Sequence, residues 1–127
     1  MKIVIETVPH SEQRHPMIVG DWVWESNGDL TIKVSDMGNW QYEVAVGLHE
    51  AVEALLCKQN GVSQTAVDQF DLDYERDRLL GFDDEPGDDP TAPYHREHCF
   101  ATAVERMLIA ALGVSWADYD QAVESLP

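Results

Sequence analysis

Asp21-Trp22-Val23-Trp24-Glu25-Ser26-Asn27-Gly28-Asp29-Leu30-Thr31-Ile32-Lys33-Val34 decides the fold class. Two runs rich in β-branched and aromatic residues flank a Ser-Asn-Gly-Asp turn, where Asn-Gly supplies the positive φ angles of a hairpin. Upstream, Lys2 to Val8 alternates as K-I-V-I-E-T-V and predicts a further strand, with Pro9 to Pro16 as a loop between. Ser35 to Gly38 reads as a second turn. Helical periodicity then takes over. It runs from about Tyr42 to Gln59, where Asn60-Gly61 stops it, and again from Gln64 to Leu80 with Ser63 or Gln64 near the cap. Gly81 to Pro93 holds three prolines and two glycines and reads as a loop. A third helix spans Tyr94 to Leu112, closed by Gly113, and Ser115 caps a short last one, Trp116 to Ser125. Strands first and helices afterwards predict a single α+β domain over residues 1–127. A small antiparallel sheet (1–41) would pack on three to four helices (42–127), with an acidic loop at 81–93.

Charge narrows the functions. The 127 residues carry 24 acids against 8 bases, net −16. Binding to a phosphate backbone needs Lys and Arg to replace counterions, so a nucleic-acid partner is not expected. A cation site, a basic protein partner or a very soluble surface all fit. Half of the excess lies between Asp68 and Pro90, where ten acids face only Arg76 and Arg78. The stretch from Gly81 to Pro90 offers nothing larger than Phe82 as an anchor and is expected to be held by few contacts. No apolar run approaches the ~20 residues of a membrane span, and the opening Met1 to Glu6 lacks the apolar run and cleavage site of a signal peptide, so none is expected. Two cysteines, Cys57 and Cys99, make no disulfide framework and fit a reduced, cytoplasmic setting.

His49-Glu50-Ala51-Val52-Glu53 lies within the first long helix. At about 100° per residue, His49 and Glu53 share a face one turn apart, the spacing at which two side chains chelate one ion. Glu50 would be placed to hold a metal-bound water. On the helical wheel Val44, Leu48, Ala51, Val52, Leu55 and Leu56 form an apolar arc, and His49 and Glu53 are expected at its edge. In the third helix His98 and Glu105 share the apolar stripe with Ala101 between them, while His95 and Arg96 point further outward. A core-facing His and Glu need partners, because an unpaired buried carboxylate is costly. His49 and Glu53 are natural ones, so the His49 and His98 imidazoles are expected to approach one another. The alternative is a buried His–Glu hydrogen-bond network without metal. Cys57, a further turn along from Glu53, and a carboxylate from the 83–89 loop are lesser candidates; Trp22 and Trp24 read as core or groove lining.

The run Leu48 to Lys58, L-H-E-A-V-E-A-L-L-C-K, is followed by E-P-G-D-D-P-x-A-P-Y-x-x-E-H over 85–98 and A-x-x-x-E-R over 101–106. Together with the opening M-K-I-V-I-E-T-V-P-H and D-W-x-W, this pattern resembles a family of small acidic proteins of tailed phages and prophages, across nearly the whole chain. The resemblance implies a setting, a host cytoplasm, and no particular activity. The HExxE helix alone also resembles that of zincin-type metalloproteases. That likeness implies a zinc ligand at His49 and a general base at Glu50, with Glu53 where the second His usually stands.

The leading expectation is therefore a metal-dependent hydrolase, acting on a small molecule or peptide. His49, Glu53 and His98 would be the ligands, Glu105 a fourth or supporting one, and Glu50 the base. Zinc suits the nitrogen-rich set; Mn²⁺ or Mg²⁺ would suit it if Glu105 or a loop Asp joined. Two other readings stand beside it: an acidic interaction protein for a basic host partner, and a magnesium-dependent nucleotide pyrophosphohydrolase using Glu50 and Glu53.

Overall fold

The computed structural model describes residues 1–78 and 85–127. What the sequence implied for Leu79, Leu80, Gly81, Phe82, Asp83 and Asp84 lies outside the described residues. The strands are β1 (Ile3–Val8), β2 (Gly20–Trp24) and β3 (Leu30–Ser35), and the helices α1 (Trp40–Gln59), α2 (Gln64–Arg76), α3 (His95–Ala111) and α4 (Trp116–Glu124). The fold is α+β. Two caps read from the sequence form as hydrogen bonds, Ser63 and Ser115 accepting from the backbone N–H of Ala66 and Asp118. Asn39, not read as a cap, accepts from Tyr42 N–H and starts α1 at Trp40, ahead of the expected Tyr42.

The sheet is mixed, which corrects the antiparallel expectation. Its order is β1-β3-β2, with β3 antiparallel to β2 and parallel to β1. The β2–β3 hairpin forms, but Gly28 alone takes a positive φ, of 90°; Asn27 does not, and the turn closes where Gly28 N–H donates to Glu25 O at 3.0 Å. The segment joining β1 to β2, including a 3₁₀ turn at His10–Glu12, crosses the end of the sheet and leaves one strand's width between them. β3 returns into that gap, and so runs alongside β1. Its Leu30, Ile32 and Val34 are fully buried beneath the helices and form the centre of the core.

α1 corrects a second expectation. Val44 and Leu55, from the large-residue arc of the wheel, are exposed, whereas Ala45, Gly47, Ala51, Ala54 and Cys57 are buried beside His49 and Glu53. The buried face is built from small residues because α1 lies very close to its neighbours. A Cβ on Gly47 would sit 2.7 Å from Ile5, and one on Gly20 would sit 2.6 Å from Glu50. His49 and Glu53 therefore occupy the middle of the packed face, not its edge. The loop expected at 81–93 also contains structure: Pro86–Asp88 is a 3₁₀ turn packed on α3. Among the described residues no helix is long and apolar enough to cross a membrane.

Candidate functional site

α1 and α3 pack along their lengths and bring the expected histidines together, with ring centroids 4.8 Å apart. Both rings meet one oxygen of Glu53. His49 Nε2 lies 3.2 Å and His98 Nδ1 3.0 Å from Glu53 Oε2, and Trp22 Nε1 donates to Glu53 Oε1 at 3.1 Å. Burial opposes the charge of this carboxylate, but the hydrogen bonds and charges of His49 and His98 prevail and hold Glu53 down at about 2.

The far nitrogens are also held. His49 Nδ1 lies 2.8 Å from Glu105 Oε1, whose other oxygen accepts from the Tyr119 hydroxyl. His98 Nε2 lies 3.1 Å from both Glu85 Oε2 and Asp88 Oδ1. With carboxylate oxygens at both nitrogens, each ring is favoured as the doubly donating imidazolium, which must release the proton facing Glu53 before that nitrogen can ligate an ion. Burial works against that charge, but the surrounding carboxylates prevail. Hydrogen bonds to Glu105 and Glu53 raise His49 well above its usual range, and those to Glu53 and Glu85 raise His98 to about 10.

Glu50 is different. It lines the same pocket, yet among the described residues it has no hydrogen-bond partner. Burial first, and the neighbouring Glu53 charge second, raise its pKa well above the usual carboxylate range. Such a group takes and gives protons more readily near neutrality than an ordinary carboxylate.

The pocket has a volume of about 320 Å³ and runs from this cluster between β2 and α2. Trp22, Val67 and Tyr94 give it apolar walls. Arg14, the only arginine lining it among the described residues, is committed to Asp21, at 2.7 Å, and to Asp68, at 3.2 Å. The Tyr94 hydroxyl donates to Asp71, and the Tyr94 ring stands edge-on to His98. Asp68 and Asp71, two of the ten acids of the 68–90 stretch, are thus engaged at the wall.

The sequence brought forward His49, Glu50, Glu53, His98 and Glu105, and the structure gathers all five. Glu105 meets His49 rather than its stripe-mate His98. Gly81 to Pro90 was expected to be held by few contacts; in its described part Glu85 and Asp88 reach His98, as the lesser loop-carboxylate candidate had it, and Gly87 lies so close that a Cβ there would come within 2.4 Å of the His98 ring. Gly87 O also accepts from His95 Nδ1 at 2.9 Å. Cys57 is a core residue whose thiol burial pushes up to about 12, and exposed Cys99 lies against His95; neither joins a ligand cluster among the described residues. Sequence reading missed Tyr119 and Tyr94 as supports, because a tyrosine in an apolar pattern looks the same whether or not its hydroxyl is used. It read Trp22 as lining without its hydrogen bond.

His49, Glu53 and His98 present ligand atoms that all lie within 4.8 Å of one another. Two imidazoles and a carboxylate on two packed helices form a donor set that suits zinc. The carboxylates behind each ring orient it, as second partners of metal-bound histidines do. No known family model, curated protein or solved structure matches the chain.

Proposed function

We propose that the protein is a metal-dependent hydrolase in which His49, Glu53 and His98 hold a divalent ion, zinc being the best fit, and Glu50 moves the proton. The observation that carries this reading is the convergence of His49 Nε2 and His98 Nδ1 on one oxygen of Glu53, with a carboxylate behind each ring. A bound zinc would supply Lewis acidity and make water a competent nucleophile near neutral pH. The chain's own part is to fix the imidazoles through Glu105 and the 85–88 turn, to exclude bulk water behind Trp22 and Tyr94, and to offer the unpartnered Glu50 carboxyl as the proton acceptor.

Glu53 is committed to three nitrogen donors, which favours this assignment over a magnesium-dependent pyrophosphohydrolase built on the Glu50 and Glu53 carboxylates. The acidic interaction reading draws less support, since several acids of the 68–90 segment are engaged with Arg14, Tyr94 and His98.

The test is metal titration of the purified chain together with a screen of peptide and ester substrates. Wild type should bind one equivalent of zinc. His49→Ala and His98→Ala should each lose that binding. Glu50→Gln should keep the metal and lose hydrolysis by about 10²–10⁴-fold, the usual contribution of a positioned general base. A chain that binds none of Zn²⁺, Mn²⁺ or Mg²⁺ would leave the cluster as a structural hydrogen-bond network. Loss of metal in Glu50→Gln would make Glu50 a ligand instead.

A further inference from the structure

The two edges of the sheet are finished differently. At the β2 edge, Gln64 Nε2 donates to the outward Trp22 carbonyl at 2.7 Å, and α2 stands across the pocket. The β1 edge has no such cover. Leu30 N–H donates to Lys2 O, and Asp36 N–H to Val8 O. In the parallel ladder Lys2, Val4, Glu6 and Val8 therefore turn their backbone groups toward β3, while Ile3, Ile5 and Thr7 turn theirs outward. Among the described residues those outward groups have no hydrogen-bond partner. The strand has neither proline nor bulge, and Ile3 and Ile5 are 44% and 43% exposed. Such an edge is a template for another strand.

We infer that this edge pairs antiparallel with β1 of a second copy of the chain, in the register that sets Lys2 opposite the partner's Glu6. Backbone parity allows only registers in which outward-facing residues oppose one another. The twofold centred on Val4 meets this: it sets Ile3 against Ile5 in hydrogen-bonded pairs and Lys2 against Glu6 in the closer, non-hydrogen-bonded kind. Centring on Ile3 or Ile5 also satisfies parity, but sets Lys2 against Val4 or Val8. Only the first register matches charges.

It also extends a pattern already present on the open face of the sheet. There Glu6 pairs with Lys33 and Lys33 with Asp21, so Lys2 of the second copy completes an alternating row.

On the helix side the interface would be widened by α1. Gly47 faces Ile5, and at about 100° per residue Trp40, Val44 and Leu55 fall within about 80° of Gly47, on the flank away from Val46 and Glu50, which face Gly20 of β2. These three are 66%, 37% and 39% exposed, an apolar strip beside an apolar strand edge. A strand edge alone falls short of the ~800 Å² per partner of a standard interface, and this strip adds to it. The net charge of −16 opposes self-association, but Arg14 ties Asp68, where the acid-rich segment begins, to Asp21 of β2, on the far edge. Charges there are screened over a Debye length of about 8 Å at physiological ionic strength.

Sedimentation equilibrium of the full chain tests this, with circular dichroism to follow the fold. Wild type should dimerise in the micromolar range. Lys2→Glu and Glu6→Lys each turn two cross-strand attractions into repulsions and should raise the dissociation constant at least about tenfold. The double variant should recover, and an equimolar mixture of the two single variants should form a heterodimer. Ile3→Pro removes an outward donor while sparing the β3 ladder, a place where an edge strand tolerates proline, and should leave a folded monomer. A wild type that stays monomeric overturns the inference. So does a dimer whose affinity ignores the charge swaps or survives Ile3→Pro.

Discussion

His49 and His98 meet the same oxygen of Glu53, but they are supported from behind by different kinds of structure. Behind His49 stands Glu105, one long helix across, with a side chain 12% exposed and with buried Tyr119 of α4 donating to its second oxygen. Behind His98 stand Glu85 and Asp88, carried on a short turn, with side chains 58% and 56% exposed. Water competes for the second pair and salt screens it, whereas the first is protected from both. Equal distances therefore do not mean equal strength. His49 is oriented by the fold itself. The outer nitrogen of His98 is held by partners that can exchange with solvent, and this is the side from which the site can be remodelled.

The largest effect should come from removing what the two sides share. Glu53→Ala leaves two buried imidazoles and the Trp22 N–H without their common acceptor. Breaking a buried charge pair in this way costs about 3–5 kcal/mol, to be read from urea unfolding of the metal-free chain at pH 7. A loss below about 1 kcal/mol would mean that the two sides stand independently. Next comes the His49 side alone. Tyr119→Phe removes one hydrogen bond to a charged, nearly buried acceptor and should cost about 2 kcal/mol in the same measurement.

Parts of this contrast were legible in the sequence and parts were not. Gly28 in the hairpin and the capping residues Ser63 and Ser115 act locally, so their signals survive without tertiary information. The i, i+4 spacing of His49 and Glu53 is local too, and the apolar stripe of α3 carried His98 inward with it. The direction of β1 depends on where a long connection lands, which strand composition does not encode. The buried face of α1 was misassigned because hydrophobicity scales weight Leu and Val above Ala and Gly, while close packing against Ile5 and Glu50 selects the small residues. The turn behind His98 looked like solvated charge because only the fold brings Gly87 against that ring.

His98 has a tyrosine–carboxylate pair of its own in Asp71 and Tyr94, and it gives the third comparison. Burial, which outweighs the Tyr94 hydrogen bond, raises Asp71 to about 6 from an ordinary value of 3.8. An acid raised on folding favours the folded state while protonated. That contribution is complete below the unfolded value and is lost as pH rises through about 6. Relative to Asp71→Asn, which stays neutral, wild type should lose on the order of 1 kcal/mol between about pH 4 and pH 6, after allowance for the partial exposure of Asp71. A difference that stays flat across that range would mean that Asp71 is better solvated than its position at the pocket wall implies.

The smallest effect should come from the exposed pair behind His98. Glu85→Gln with Asp88→Asn removes two charges from a residue that the structure shows touched by four carboxylate or backbone neighbours, yet both side chains are more than half in water. Exposed ion pairs contribute little, so the double variant should change the stability of the metal-free chain by less than about 0.5 kcal/mol, in contrast to Tyr119→Phe. The two variants should differ in a second way. If the turn orients His98 for a metal, as the proposed function requires, the double variant should still weaken zinc binding by roughly 10–100-fold, the usual consequence of losing a partner behind a histidine ligand. Small stability loss with a large affinity loss would identify the turn as a functional support. Unchanged affinity would mean that Glu53 and the packing of α3 alone are enough to orient His98, and that the turn only covers it.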